Sequence, residues 1–177
     1  AERSALSSTL GWSDYRDVGA MVKYGRGPWQ VLAGFFNGEG PNTSDANRDK
    51  DFAGKIAVEP GGGLHLGLSG YTGRGKAARY LNERWGGEFA WLSGPWFLKG
   101  EFAAGHGATS TSASPGQRTA YGTLGRALLP DLQGVARLDW WDPDTAAGGD
   151  IQKELTLGLN WLVKDHDCKL QANFVLH

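Results

Sequence analysis

The sequence predicts an all-β fold: a transmembrane, antiparallel up-and-down β-barrel domain over residues 1–177, with about ten strands in this chain. Three observations predict it. Apolar and polar residues alternate with period two in segment after segment, which gives an extended strand one greasy side and one wet side. The connections alternate between short turns and long polar loops, the habit of barrels that cross an outer membrane. Gly, at 28 residues, and Trp, at 8, are both abundant in a chain of 177, a composition that suits strands, tight turns and aromatic belts.

Taken in order, the first strands are Arg16 to Gly25 and Trp29 to Asn37. In the third, Phe52, Gly54, Ile56 and Val58 oppose Lys55 and Glu59; in the fourth, Leu64, Leu66 and Leu68 oppose His65, Gly67 and Ser69. Trp85, Phe89 and Trp91 oppose Arg84 and Glu88, and Trp96, Leu98 and Phe102 oppose Lys99 and Glu101. Gln117 to Leu129 is the seventh strand, with a phase that its Gly, Thr and Ala residues obscure. Leu132, Ala136, Leu138 and Trp140 oppose Gln133, Arg137 and Asp139. Leu155, Leu157, Leu159 and Trp161 oppose Glu154, Thr156 and Asn160, and Leu170, Ala172, Phe174 and Leu176 oppose Lys169, Gln171 and Asn173. The segments run about 9–13 residues, and a tilted strand needs about 9–11 to cross a membrane. Tyr24, Trp29, Trp91, Trp96, Trp140 and Trp161 fall near strand ends, where interfacial girdles lie.

The short connections are Gly25 to Pro28, Pro60 to Gly62, Ser93 to Pro95, Pro130-Asp131 and Asp165 to Asp167; the long ones are Gly38 to Lys50, Gly73 to Asn82, Gly105 to Gly116 and Asp142 to Asp150. The barrel rule puts the former in the periplasm and the latter outside. A formal net charge of −1 argues against a nucleic-acid partner. Cys168 has no second cysteine with which to form a disulfide. No run reaches the roughly 18–20 apolar residues of a membrane-spanning helix.

Arg16-Asp17-Val18-Gly19-Ala20-Met21-Val22, Phe35-Phe36-Asn37-Gly38-Glu39-Gly40-Pro41-Asn42 and Asp45 to Asp51 together resemble the phosphate-selective porin O and P family. Ala136-Arg137-Leu138-Asp139, Asp142-Pro143-Asp144, Thr156 to Trp161 and Lys169 to Asn173 extend the likeness, and the Phe-Asn-Gly-Glu-Gly segment is its most specific piece. The resemblance implies a passive diffusion pore in the bacterial outer membrane, without cofactor or covalent chemistry, surrounded by lipid. It also implies a larger barrel of about sixteen strands, of which this chain resembles the later ones. A homo-oligomer such as a trimer, or another chain that completes the barrel, is then the expected protein partner. The strand Lys169 to His177 runs outward under the turn rule, whereas complete barrels of this family end in the periplasm on an aromatic residue. A fragment or a reduced barrel is the expectation, and the family's constriction loop and arginine ladder would lie mostly upstream.

The wet face is the candidate site. Its basic members are Lys23, Lys55, His65, Arg84, Lys99, Arg126, Arg137 and Lys169, and its acidic ones include Glu59, Glu88, Glu101, Asp139 and Glu154. Fixed charges on a narrow water-filled wall bias which ions enter. The small basic excess predicts a bias to anions such as phosphate, set against the plainer expectation that the charges pair across strands.

Other motifs carry less. Gly70 to Ala77 resembles a phosphate-binding loop, but Ala77 stands where magnesium needs Ser or Thr. Asp45, Asn47, Asp49 and Asp51 resemble a calcium loop, yet Lys50 and Ile56 occupy the positions where an EF-hand needs Gly and Glu, leaving only a loose surface cation site. Asn42-Thr43-Ser44 fits a glycosylation sequon of no consequence in a bacterial barrel, and Asp165-His166-Asp167 reads as a turn. Three other functions compete: a hydrolase site on the rim of a small barrel, starting from His106 with Glu101 nearby; a soluble β-sandwich binding module; and a structural barrel without a pore.

Overall fold

The computed structural model describes residues 17–39, 44, 49–74, 82–106, 116–166 and 168–177. Among them are ten strands and no helix: β1 (Gly19–Arg26), β2 (Trp29–Phe36), β3 (Asp51–Gly61), β4 (Leu64–Gly73), β5 (Asn82–Ser93), β6 (Trp96–His106), β7 (Gln117–Leu129), β8 (Leu132–Asp142), β9 (Gln152–His166) and β10 (Cys168–Leu176). They form a single sheet in chain order, each antiparallel to the next. The short connections at Gly27-Pro28, Gly62-Gly63, Gly94-Pro95 and Pro130-Asp131 alternate with longer ones as the sequence predicts, because each two-residue turn returns the chain at once beside the strand it left; Asp165 and His166, read from sequence as part of a turn, instead belong to β9.

The turns show where local chemistry refines the prediction. Gly27 and Gly94 take positive φ of 58° and 53° at the tips of their hairpins. Between β3 and β4 the turn sits one residue later than expected, at Gly62-Gly63, with a register shift between Val58 and Gly61. Gly61, Gly62 and Gly63 all have positive φ, so the run of three lets the bend settle where the strands require it. Gly63 is the constrained one: a Cβ there would lie 2.0 Å from the carbonyl oxygen of Leu92.

Each hairpin projects beyond the one before it. Trp29, at the start of β2, pairs with Val58, and β3 continues past it through Gly61. Leu64 pairs with Trp91, Trp96 with Arg126 and Leu132 with Trp161, each with more strand beyond. The turn carbonyls bind the overhang in the same way every time. Glu59 N donates to Pro28 O at 2.9 Å, Leu92 N to Gly63 O at 3.0 Å, Ala127 N to Pro95 O at 2.8 Å and Leu162 N to Asp131 O at 2.7 Å. A stagger that accumulates in one direction is the tilt a sheet needs to curl into a barrel.

The described strands nevertheless do not close. β1 and β10 are each paired on one side only, so the barrel predicted from the sequence is here an open sheet with two edges. Alternation fixes the pairing of strands adjacent in sequence and carries no information about what meets the first and the last.

The sheet has no ordinary core. The buried apolar residues among those described are Ala57, Ala103 and Ala104. The large side chains lie outside: Leu68 is 64% exposed, Phe174 62% and Trp85 58%. No second sheet packs on either face among the described residues.

Candidate functional site

Following the register from strand to strand sorts the side chains without ambiguity. Lys23 lies opposite Leu32, Leu32 opposite Lys55, and Lys55 opposite Ser69. Continued across the sheet, this pairing puts Lys23, Lys55, His65, Arg84, Glu88, Lys99, Glu101, Arg137 and Lys169 on one face. Val31, Ile56, Leu68, Phe102 and Trp140 fall on the other. Arg126 is a correction. It pairs with Trp96, its guanidinium lies 4.9 Å over that ring, and both belong to the apolar face. A charge inside a strand with small residues on both sides reads as wet from sequence, and only the partner strand sets its phase.

The charges are layered. Glu88, Glu101, Tyr121, Asp139 and Glu154 are successive cross-strand neighbours and form one row. His65, Ala90, Lys99, Thr123, Arg137 and Thr156 form the next row toward the short turns. Carboxylates directly opposite one another repel, and the neighbouring layers answer this. Lys55 donates to Glu88, and His65 Nε2 approaches the same carboxylate at 2.9 Å. His65 Nδ1 lies 3.3 Å from Glu59. Gly67 makes room for this knot, since a Cβ there would meet Glu88 Oε1 at 2.8 Å. Arg137 holds Asp139 through two bonds of 2.6 and 2.7 Å, with its guanidinium 4.2 Å over the Tyr121 ring. Tyr121 also hydrogen-bonds to Glu101.

Three cations stand apart. Lys23, Lys99 and Lys169 are exposed on the polar face, and no carboxylate pairs with them among the described residues. The Lys99 ammonium lies 5.5 Å over the Phe97 ring, a contact that leaves its charge uncompensated by a carboxylate.

At the long-loop end the polar face holds a feature with no clear signal in the sequence. Asp51 opens β3 and is only 1% exposed. It accepts hydrogen bonds from the Tyr71 hydroxyl and, at 2.9 Å, from the Arg74 backbone. Arg84 stacks 5.1 Å over the Tyr71 ring, and Asp17 accepts from the backbone N–H groups of Gly38 and Val18. These residues come from segments far apart in sequence and meet only through the register.

That geometry answers the calcium expectation in part. Asp51 is engaged by donors, and no group of three metal-ligating side chains occurs among the described residues. Asp45 and Asn47 lie outside the described residues, as do Asn42, Thr43 and Asp167; Asp49 is described. Of the phosphate-loop match, Gly70 to Gly73 belong to β4, and Gly75 to Ala77 lie outside the described residues. His106 pairs with Glu83 at 3.4 Å on the apolar face, away from Glu101, and no hydroxyl hydrogen-bonds to it among the described residues.

No family model, curated protein or solved structure matches this chain.

Proposed function

We propose that this chain is barrel wall of a bacterial outer-membrane porin, of the phosphate-selective porin O and P kind. Its polar face would line a passive diffusion pore for small hydrophilic solutes, with a modest bias to anions such as phosphate. The observation that carries this reading is the partition of one staggered ten-stranded sheet into a face dominated by large exposed apolar side chains and a face that carries most of the mid-strand charges. Large apolar side chains exposed over a whole face are foreign to water-soluble monomers and ordinary where lipid is the solvent. In lipid every backbone N–H and C=O must be paired, so the free edges of β1 and β10 would meet further strands. Ten strands closed on themselves would leave a lumen filled by side chains, whereas a larger count leaves water inside. The ammonium groups of Lys23, Lys99 and Lys169 have no carboxylate partner among the described residues and favour anions, whereas Lys55, His65 and Arg137 on that face are paired with carboxylates.

The test is single-channel recording from the full-length protein in planar bilayers, with the reversal potential measured in a salt gradient. The expected result is discrete steps with a slight anion preference, and Lys99→Glu moves the reversal potential toward cation preference. A folded, inserted protein that passes no current contradicts the pore reading.

A further inference from the structure

The apolar face is not uniform. Across β6 to β10 it dips into a shallow, open groove of about 770 Å³. Gly134, Ala136 and Ala172 form its floor, while Trp96, Leu128 and Phe174 stand at its sides. Leu128 leans across Gly134, where a Cβ would lie 3.2 Å from its Cδ1. Arg126 lines the same groove toward the short-turn end, exposed and laid over Trp96. No carboxylate pairs with Arg126 among the described residues. An unpaired guanidinium on a face built for hydrocarbon is costly unless it reaches an anion at the membrane interface. A shallow apolar groove edged by a cation complements a molecule with a hydrocarbon tail and a negative head.

We infer that the groove is a binding site for one phospholipid with an anionic head group. The phosphate would sit against Arg126, and an acyl chain would lie along Leu124, Ala136 and Leu157. The Trp96 ring, 4.9 Å beneath the guanidinium, would help to hold it at the groove for the head group. This inference rests on the membrane reading above and goes beyond it, because it singles out one bound lipid from the surrounding bilayer.

The experiment reconstitutes the full-length protein into nanodiscs of phosphatidylethanolamine doped with phosphatidylglycerol, and counts retained lipid by native mass spectrometry after mild delipidation. The wild type should keep one phosphatidylglycerol. Arg126→Gln should lower its retention roughly tenfold, the value of one charge-assisted phosphate contact. Ala136→Leu, which fills the floor and keeps the arginine, should lower it as well. Arg118→Gln, at the long-loop end of the same strand, should leave it unchanged. Equal retention in the wild type and in both groove variants overturns the site, as does an equal loss with Arg118→Gln, which would indicate general attraction of charge. Heat-modifiable migration and β-sheet circular dichroism of each protein in vesicles keep the two readings apart. An inserted wild type without preferential lipid refutes only the site, whereas a wild type that does not insert refutes the membrane reading and the site with it.

Discussion

Leu68→Arg should cost about 2–4 kcal/mol of folding stability in vesicles, while Ser69→Arg, the next residue in the same strand, should cost little. Leu68 is 64% exposed near the middle of the apolar face, opposite Ile56 and Gly87. In water that position is an open surface, and a long cation there would change stability by no more than about 0.5 kcal/mol. In a bilayer it is hydrocarbon, and the same side chain must drag its charge out of water. Ser69 projects from the polar face between Lys55 and Gly86, where a charge finds solvent in either case and meets only the repulsion of Lys55 opposite, about 0.2–1 kcal/mol. Urea titration of folding into phosphatidylcholine vesicles measures both variants. Near-equal stabilities would remove lipid from the account.

Asp51→Ala should be the most damaging change on the polar face, at roughly 1–3 kcal/mol, because it removes a buried carboxylate that accepts two part-buried hydrogen bonds at once. The Tyr71 hydroxyl and the Arg74 N–H both end on that carboxylate, and Asp51 is the largest fully buried side chain among the described residues. Asp51→Asn keeps the shape and one acceptor, so it should lose less. The same titration reads both variants. An Asp51→Ala protein as stable as the wild type would mean that the knot is open in solution.

These two residues mark how far the sequence could be read. Leu68 was legible because Leu64, Leu66 and Leu68 alternate with polar or small neighbours, and period two is a local property of an extended chain. The same holds for the other strands with regular alternation, and the glycine-bearing turns located most hairpins. Asp51 was not legible, because its partners come from β4 and the residue that follows it, and nothing local to Asp51 announces them. It reads in sequence as one more acid in a polar loop. Arg126 failed for a related reason. Gln117 to Leu129 carries small or polar residues on both faces, so its phase is set by pairing with β6 and β8 and its own pattern is silent. The charge layers lie between these cases: each strand shows which residues share a face, but the order of acidic and basic rows needs the register of six neighbouring strands.

The most direct test of the central claim asks which face meets lipid. Single cysteines would be placed at Leu66, Leu68 and Phe89 and at His65, Ser69 and Ala90, in a Cys168→Ser background, and labelled with an environment-sensitive fluorophore after folding into vesicles. Quenching by nitroxide-bearing lipid should be strong at Leu66, Leu68 and Phe89 and weak at His65, Ser69 and Ala90, with aqueous iodide giving the reverse order. Labels at Leu66, Leu68 and Phe89 that are open to iodide or hidden from both quenchers would contradict the account, because that face would then meet water or another protein surface.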